Sequence, residues 1–306
     1  MERFERADGA QTTAALLLPA AMLCARWSVG CVLAGAVLAL LFIYSMGRLA
    51  ARAPDGFAWP RWFLWTRRVW CAMLLGGVLA LTRELFPQAG GSWLIPAVLA
   101  ALAATACARG TDSARRVAAA VWPLLLAAWA VVALFAAPDV KWNRLAESGD
   151  GRQVAAAFAV CLLPGLRVRQ GTRWDGALGG ALCLSAAGIC VGLLGAPQVA
   201  ALDFPFYTAA QSISVFGVME RFEGLLSAAL AVSAFCALGL IVDSAAPHTP
   251  RGAWALIAVG AAGMLAVPCV SGWVWIIGNC LFCGLFPAGI LAVAASKNCK
   301  KLGRKS

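Results

Sequence analysis

The sequence is poor in the residues that do polar chemistry. It has one histidine, 14 acidic residues and 13% charged residues in a chain of 306. The single histidine, His248, lies in a short polar loop. A histidine metal cage and a histidine-based catalytic triad are therefore excluded. Soluble domains carry about 25% charged residues, so the low charge also excludes a separate soluble domain. Strict polar–apolar alternation is missing from the long runs, which argues against a β-barrel. The 12 cysteines are scattered, mostly inside apolar stretches, where free cysteine behaves as a small hydrophobe. Cys280 and Cys283 form a lone C-x-x-C with no second pair at zinc spacing, which is weak ground for metal or redox chemistry. Paired aspartates, His–Glu or Ser–Lys constellations are absent from the apolar runs, so the chain reads as a non-enzyme that requires no cofactor.

What is abundant is hydrocarbon. Hydrophobic residues make up 62% of the chain and the mean hydropathy is +0.81. Apolar runs of about 18 residues or more recur along the whole length, the signature of a helical multi-pass membrane protein. Ten segments stand out: 9–25, 28–50, 68–86, 91–108, 116–137, 153–168, 176–196, 224–243, 252–270 and 272–294.

The net charge of +11 reports orientation rather than nucleic-acid binding, because the basic residues sit in short loops between apolar runs. With an even number of spans both termini share a side. Nineteen of the 25 basic residues then fall on that side and six on the other. This positive-inside division predicts cytoplasmic N- and C-termini. The charged start followed by "AALLLPAAMLCA" has some likeness to a signal peptide. Glu2, Glu5 and Asp8 in its first stretch, and the lack of a small-x-small cleavage site, favour a retained first helix.

Ten spans divide into two inverted repeats, approximately 9–137 and 153–294. Transporters built this way interrupt the first helix of each repeat near mid-membrane. Segments 1 and 6 fit. "GAQTTAALLLPAAMLCA" is short, carries Gln11, Thr12 and Thr13, and contains Pro19. "VAAAFAVCLLPGL" is also short, with Cys161 shortly before Pro164 and Gly165. Proline removes a helix donor, and the freed groups can hold a ligand where protein or water surrounds them. A simple kink is the plainer reading of either proline. Gln11, Thr12, Thr13, Cys161, Pro164 and Gly165 are the candidate substrate-binding residues. Gly176, Gly180, Gly188 and Gly192 line one face of segment 7 and read as packing. Arg83 and Glu84 read as an interfacial helix end, or else Glu84 faces a cavity.

Residues 203–223 break the apolar pattern. By the charge count they lie on the outer side, and their mixed aromatic and polar character predicts an interfacial helix over approximately 206–222. "FPFYTAAQSISVFGVMERFEGLL" resembles a segment of the spore germination receptor B subunits, which are amino acid permease-like proteins. Pro205, Ile213, Phe216, Glu220, Arg221, Phe222 and Glu223 match that family's pattern in order. A second match lies in "ARGTDSARRVAAAVWPLLLAAWAVVALFAAPDVKWNRLAESGDG", at Arg116, Pro123, Trp142, Asn143, Leu145 and Gly149. The basic tail, 296–306, following Pro287 in the last segment, is a third. The resemblance covers about residues 28–300, and the Glu-Arg-Phe-Glu block is its most specific part.

The resemblance implies an all-α, ten-helix fold of the amino acid–polyamine–organocation superfamily, a 5+5 inverted repeat (LeuT-like) with discontinuous helices 1 and 6. It implies a sensor of a small germinant, most simply an amino acid, in the spore inner membrane or a bacterial cell membrane. Its partners would be the receptor A and C subunits and the lipid bilayer, with no nucleic acid. The chain departs from the family where helices 1 and 6 would grip a solute: the glycine-rich motif of helix 1 and the Gly-Glu pair of helix 6 are absent. An autonomous amino acid transporter coupled to H⁺ or Na⁺ is the alternative on the same fold. The scarcity of carboxylates in the spans favours sensing over ion coupling.

Overall fold

The structure is a computed structural model and describes residues 2–54, 57–85, 93–146, 149–167, 173–202, 204–212, 222–245, 249–267 and 270–302. Helix of one kind or another makes up 91% of it, with no strand among the described residues. This is what a chain dominated by alanine, leucine and valine does when no water is available to its backbone: every amide must be satisfied within its own segment.

The helices are α1 (Glu2–Met22), α2 (Val29–Arg52), α3 (Arg61–Leu85), α4 (Leu94–Ala108), α5 (Thr111–Ala136), α6 (Gly151–Cys161), α7 (Arg173–Leu194), α8 (Ala196–Ala201), α9 (Pro205–Ser212), α10 (Phe222–Ala245), α11 (Pro250–Ala266), α12 (Gly272–Asn279) and α13 (Phe286–Leu302). A π-helical segment, Cys280–Leu285, joins the last two into one rod. Among the described residues, six rods are long and apolar enough to cross a membrane: Val29–Arg52, Arg61–Leu85, Ser113–Asp139, Ala177–Leu194, Leu226–Ala245 and Gly272–Asn298. Leu94–Ala108 and Arg251–Met264 are apolar but shorter. Each of the ten segments expected from sequence overlaps a helix, and among the described residues six of the rods meet the length and apolarity of a span on their own.

Local chemistry starts and stops the helices. Ser28 caps α2 by accepting from the amide of Cys31 at 3.4 Å. Asp150 caps α6 by accepting from Gln153 N at 2.9 Å. Thr249 caps α11 by accepting from Gly252 N at 3.3 Å. Such side-chain acceptors satisfy amides that have no partner within the helix. Between α7 and α8 stands Gly195, whose φ of 85° suits a residue without Cβ.

α1 is the axis of the bundle. Ala10 through Met22 are all buried, and α5, α7 and α10 pack around them. α2 lies against α6 and α7, and α3 against α10 and α11. Small residues allow the closest approaches. A Cβ at Gly35 in α2 would lie 2.7 Å from the Cβ of Ala157 and 2.8 Å from the carbonyl of Val154, both in α6. Gly180 of α7 packs on Ala36 and Gly192 on Val140, as the packing reading expects, whereas Gly188 faces open space. Large apolar side chains point outward, Leu124 at 71% and Leu134 at 69% exposure. Hydrocarbon is the solvent that suits such a surface, and the chain is a multi-pass membrane protein in architecture.

Polar bonds tie helix ends together at two levels. At one end, Arg115 of α5 pairs with Asp243 of α10 at 3.0 Å, Arg68 of α3 donates to the carbonyl of Ala245 at 3.1 Å, and Asn298 of α13 donates to the carbonyl of Arg52 at 3.3 Å. At the other, Ser28 N donates to Gln153 Oε1 at 2.9 Å and Arg144 Nη1 to the carbonyl of Leu193 at 2.8 Å.

Candidate functional site

Two proline-bearing helices were expected to be interrupted, and the structure resolves them differently. α1 runs unbroken from Glu2 to Met22 with Pro19 inside it, so the expected discontinuity of the first helix is corrected. Its irregularity is confined to one turn. The hydroxyl of Ser233, from α10, donates to the carbonyl of Ala14 at 2.6 Å and accepts from the amide of Leu18 at 2.9 Å. Those are the two groups that a regular helical turn pairs with each other. A side chain inserted into the ladder is one of the recognised causes of a helix bend. Pro19 has no N–H, so the carbonyl of Ala15 also lacks its usual donor.

α6 does end early. It stops at Cys161 after 11 residues, and the chain continues as a 3₁₀ turn, Leu163–Arg167, holding Pro164 and Gly165. Gly165 presses on the π-helical segment of the last rod: a Cβ there would run into the carbonyl of Cys283. Arg67 of α3, almost wholly buried, donates through Nη2 to the carbonyl of Leu166. A cation at a helical C-terminus meets the negative end of the backbone dipole. The Nε of Arg67 has no hydrogen-bond partner among the described residues.

The π segment is the third irregularity. π-turns inside α-helices occur frequently at functional sites. Asn279 stands at its entrance, buried, and its Oδ1 accepts from Trp70 Nε1 at 3.2 Å. Trp70 in turn stacks on Phe282, ring centroids 5.6 Å apart. Cys280 and Cys283 fall in this segment as free thiols.

These features surround a cavity of about 580 Å³. α1 contributes Ala15, Leu16 and Pro19. α3 contributes Leu74, Gly77, Val78, Leu81 and Glu84. α6 contributes Gln153, Ala156, Ala159 and Val160, the 3₁₀ turn Leu163 and Leu166, and the last rod Trp275, Ile276 and Asn279. The α3 positions recur every three or four residues, so one helix face lines the space. From Leu74 to Glu84 that face runs about 15 Å at 1.5 Å per residue. The walls are apolar along their length. The polar groups collect at the mouth, where Glu84, Asp150 and Arg152 are exposed, and at the base, where Asn279 is buried. Arg152 lies over the Trp273 ring at 5.6 Å, and Arg83 over Trp93 at 4.8 Å.

The residues singled out from sequence lie beside this cavity rather than on its wall. Gln11, Thr12 and Thr13 are buried in α1, about one turn below Ala15 and Leu16, and Thr13 Oγ1 donates to the carbonyl of Gly9 at 2.9 Å. Cys161 is buried against Cys183. Pro164 and Gly165 shape the turn whose neighbours Leu163 and Leu166 reach the cavity. Glu84 takes the cavity position rather than that of a purely interfacial end.

The interfacial segment is helical where it is described. Pro205–Ser212 forms α9, with Pro205 buried. Phe206 is fully buried and stacks on Trp129 at 4.6 Å, so it serves the core and not a headgroup boundary. Phe216, Glu220, Arg221 and His248 lie outside the described residues, and Glu223 falls in the first turn of α10. Among the described residues no cluster of His, Cys, Asp or Glu could hold a metal ion.

The class defined by this geometry is an all-helical multi-pass membrane protein with a solute-sized cavity among irregular helices. No protein-family model matches the chain, and no curated protein matches it.

Proposed function

We propose that this chain binds a small solute, most simply an amino acid, in the central cavity, and that it is the permease-like B subunit of a spore germination receptor. The observation that carries the reading is the cavity itself. Its volume of about 580 Å³ lies in the range of small-molecule sites, about 300–1,000 Å³. It sits where a bridged turn in α1, the early end of α6 and the π segment of the last rod come together. Irregular backbone is tolerated at membrane depth when it lines a cavity.

A ten-span, 5+5 arrangement with cytoplasmic termini accounts best for the helix order. What supports it is the tying of helix ends. Arg115 to Asp243, Arg68 to Ala245 and Asn298 to Arg52 each join ends that the charge division puts on the cytoplasmic side. Ser28 to Gln153 and Arg144 to Leu193 join ends that it puts outside. In this frame the mouth, with Glu84, Asp150 and Arg152, faces outward, toward an external nutrient. The mouth's charges are those that a zwitterion's amine and carboxylate would meet, while the apolar walls take its side chain. Binding shifts the balance between two packings of the rods because the solute fits one better, and the A and C subunits read that shift. No covalent step is involved.

Glu84 and Asp150 at the cavity mouth favour a second reading, an autonomous transporter. A carboxylate at the entrance to a solute site is a group that proton coupling can use. Uptake of labelled amino acids into liposomes holding the purified chain alone separates the two. The sensor reading predicts binding without uptake under either a proton or a sodium gradient. Gradient-driven accumulation would establish the transporter instead.

A further inference from the structure

A second cavity of about 520 Å³ lies at the end of the bundle where α2 stops and α3 starts. Pro54 and Phe57, from the connection between these helices, form one wall, and Ile290 and Val293 of α13 the other. Lys297 and Asn298 stand at the rim. Asn298 Nδ2 donates to the carbonyl of Arg52 at 3.3 Å, which fixes α13 against the end of α2. Nothing in the central cavity or in the solute reading uses this groove.

Three observations say what it fits. The rods that border it, Val29–Arg52, Arg61–Leu85 and Gly272–Asn298, are each long and apolar enough to cross a bilayer, and all three reach their polar limits here. Trp62 and Trp65 follow at the start of α3, 55% and 66% exposed, and tryptophans gather at the headgroup level of membranes. Arg48, Arg52, Arg61 and Lys297 are exposed at this level, against one nearby acidic residue in the sequence, Asp55. A soluble anion would satisfy these cations and leave the apolar walls wet. A zwitterionic lipid would fill the walls and leave the surplus charge unanswered.

We propose that this groove binds an anionic phospholipid, with an acyl chain along Ile290 and Val293 and the headgroup phosphate beside Lys297. Basic pockets between membrane helices hold acidic headgroups in this way, and each cation near the surface strengthens the attraction about fivefold.

The test is native mass spectrometry of the full chain released from detergent with phosphatidylglycerol or phosphatidylcholine of identical acyl chains. Phosphatidylglycerol is expected to be retained at least about fivefold more tightly. Lys297→Glu should weaken that preference at least about fivefold, and Val293→Trp, which fills the groove, should reduce retention of both lipids. Both positions are exposed, and an unchanged melting temperature would show that each variant is folded. Equal retention of the two lipids by the native chain would overturn the proposal. So would a preference unchanged by Lys297→Glu, or retention unaffected by Val293→Trp. Efficient disulfide dimerisation of Lys297→Cys would place a second copy in the groove and overturn it as well.

Discussion

Ser233 does more than its size implies. It is fully buried, and its one hydroxyl satisfies a donor and an acceptor of α1 at once, at 2.9 and 2.6 Å. Ser233→Ala removes both bonds and leaves a turn beside Pro19 to close on its own. The expected cost is about 1 kcal/mol, since interhelical hydrogen bonds in membranes average somewhat less than that and buried unsatisfied groups cost more. Thermal unfolding in detergent checks it, and Ser233→Thr, which keeps the hydroxyl, should lose less. Pro19 is legible in the sequence as a point of stress on the first helix. Ser233 is not, because its partners in α1 lie 215 and 219 positions away and no local pattern links them. Gln11, Thr12 and Thr13 attract attention as polar residues in an apolar run. The cavity instead begins about one turn later, at Ala15 and Leu16, which look like ordinary helix filler. What places them on the wall is the position of α3 and α6, which tertiary packing decides.

At the scale of whole elements, the end of α6 is held by its neighbours. Arg67 answers the carbonyl of Leu166, and the 3₁₀ turn seats on the π segment through Gly165 and Cys283. Arg67→Leu leaves that carbonyl without its donor and is expected to cost about 1–3 kcal/mol. Arg67→Lys should recover part of the loss, because an ammonium reaches the carbonyl but lacks the planar fork. Urea or thermal denaturation of the two variants side by side reads the difference. The α2–α6 seam depends on Gly35, where any larger side chain meets Ala157 and the backbone of α6. Gly35→Val should destabilise by about 1–3 kcal/mol through overpacking, measured as a lowered melting temperature. The sequence shows where α6 weakens, because Pro164 and Gly165 are visible signals. It does not show that Arg67, read by pattern as one more basic residue at a helix start, turns inward to meet that end. The segment after α8 reads as interfacial from its mixed composition. Phe206 nevertheless enters the core, since a stacking partner in Trp129 outweighs the pull of a boundary position.

For the molecule as a whole, composition and run length were enough to define a helical membrane protein, and the positions of its rods follow the apolar segments closely. Length alone is less informative: α4 and α11 are too short to qualify as spans unaided, and α1 carries a charged first turn. The two ends of the bundle differ in chemistry. A part-buried Arg115–Asp243 pair, with the aspartate side chain only 3% exposed, fastens α5 to α10 at the basic end. The mouth of the central cavity opens at the opposite end. Asp243→Asn removes the charge from this pair and weakens its hydrogen bonds, so it is expected to lower stability by about 1–3 kcal/mol, seen as a fall in the folded yield and melting temperature.

The central claim is that the apolar cavity among the irregular helices holds an amino acid. Its most direct test is equilibrium binding of each of the twenty radiolabelled amino acids to the purified chain and to Ala156→Phe, a variant that puts a ring into the cavity from α6. The account predicts saturable binding of at least one amino acid to the native protein, weakened at least about tenfold in Ala156→Phe, equivalent to about 1.4 kcal/mol. Failure of all twenty to bind the native protein, or equal binding by the filled variant, would contradict it.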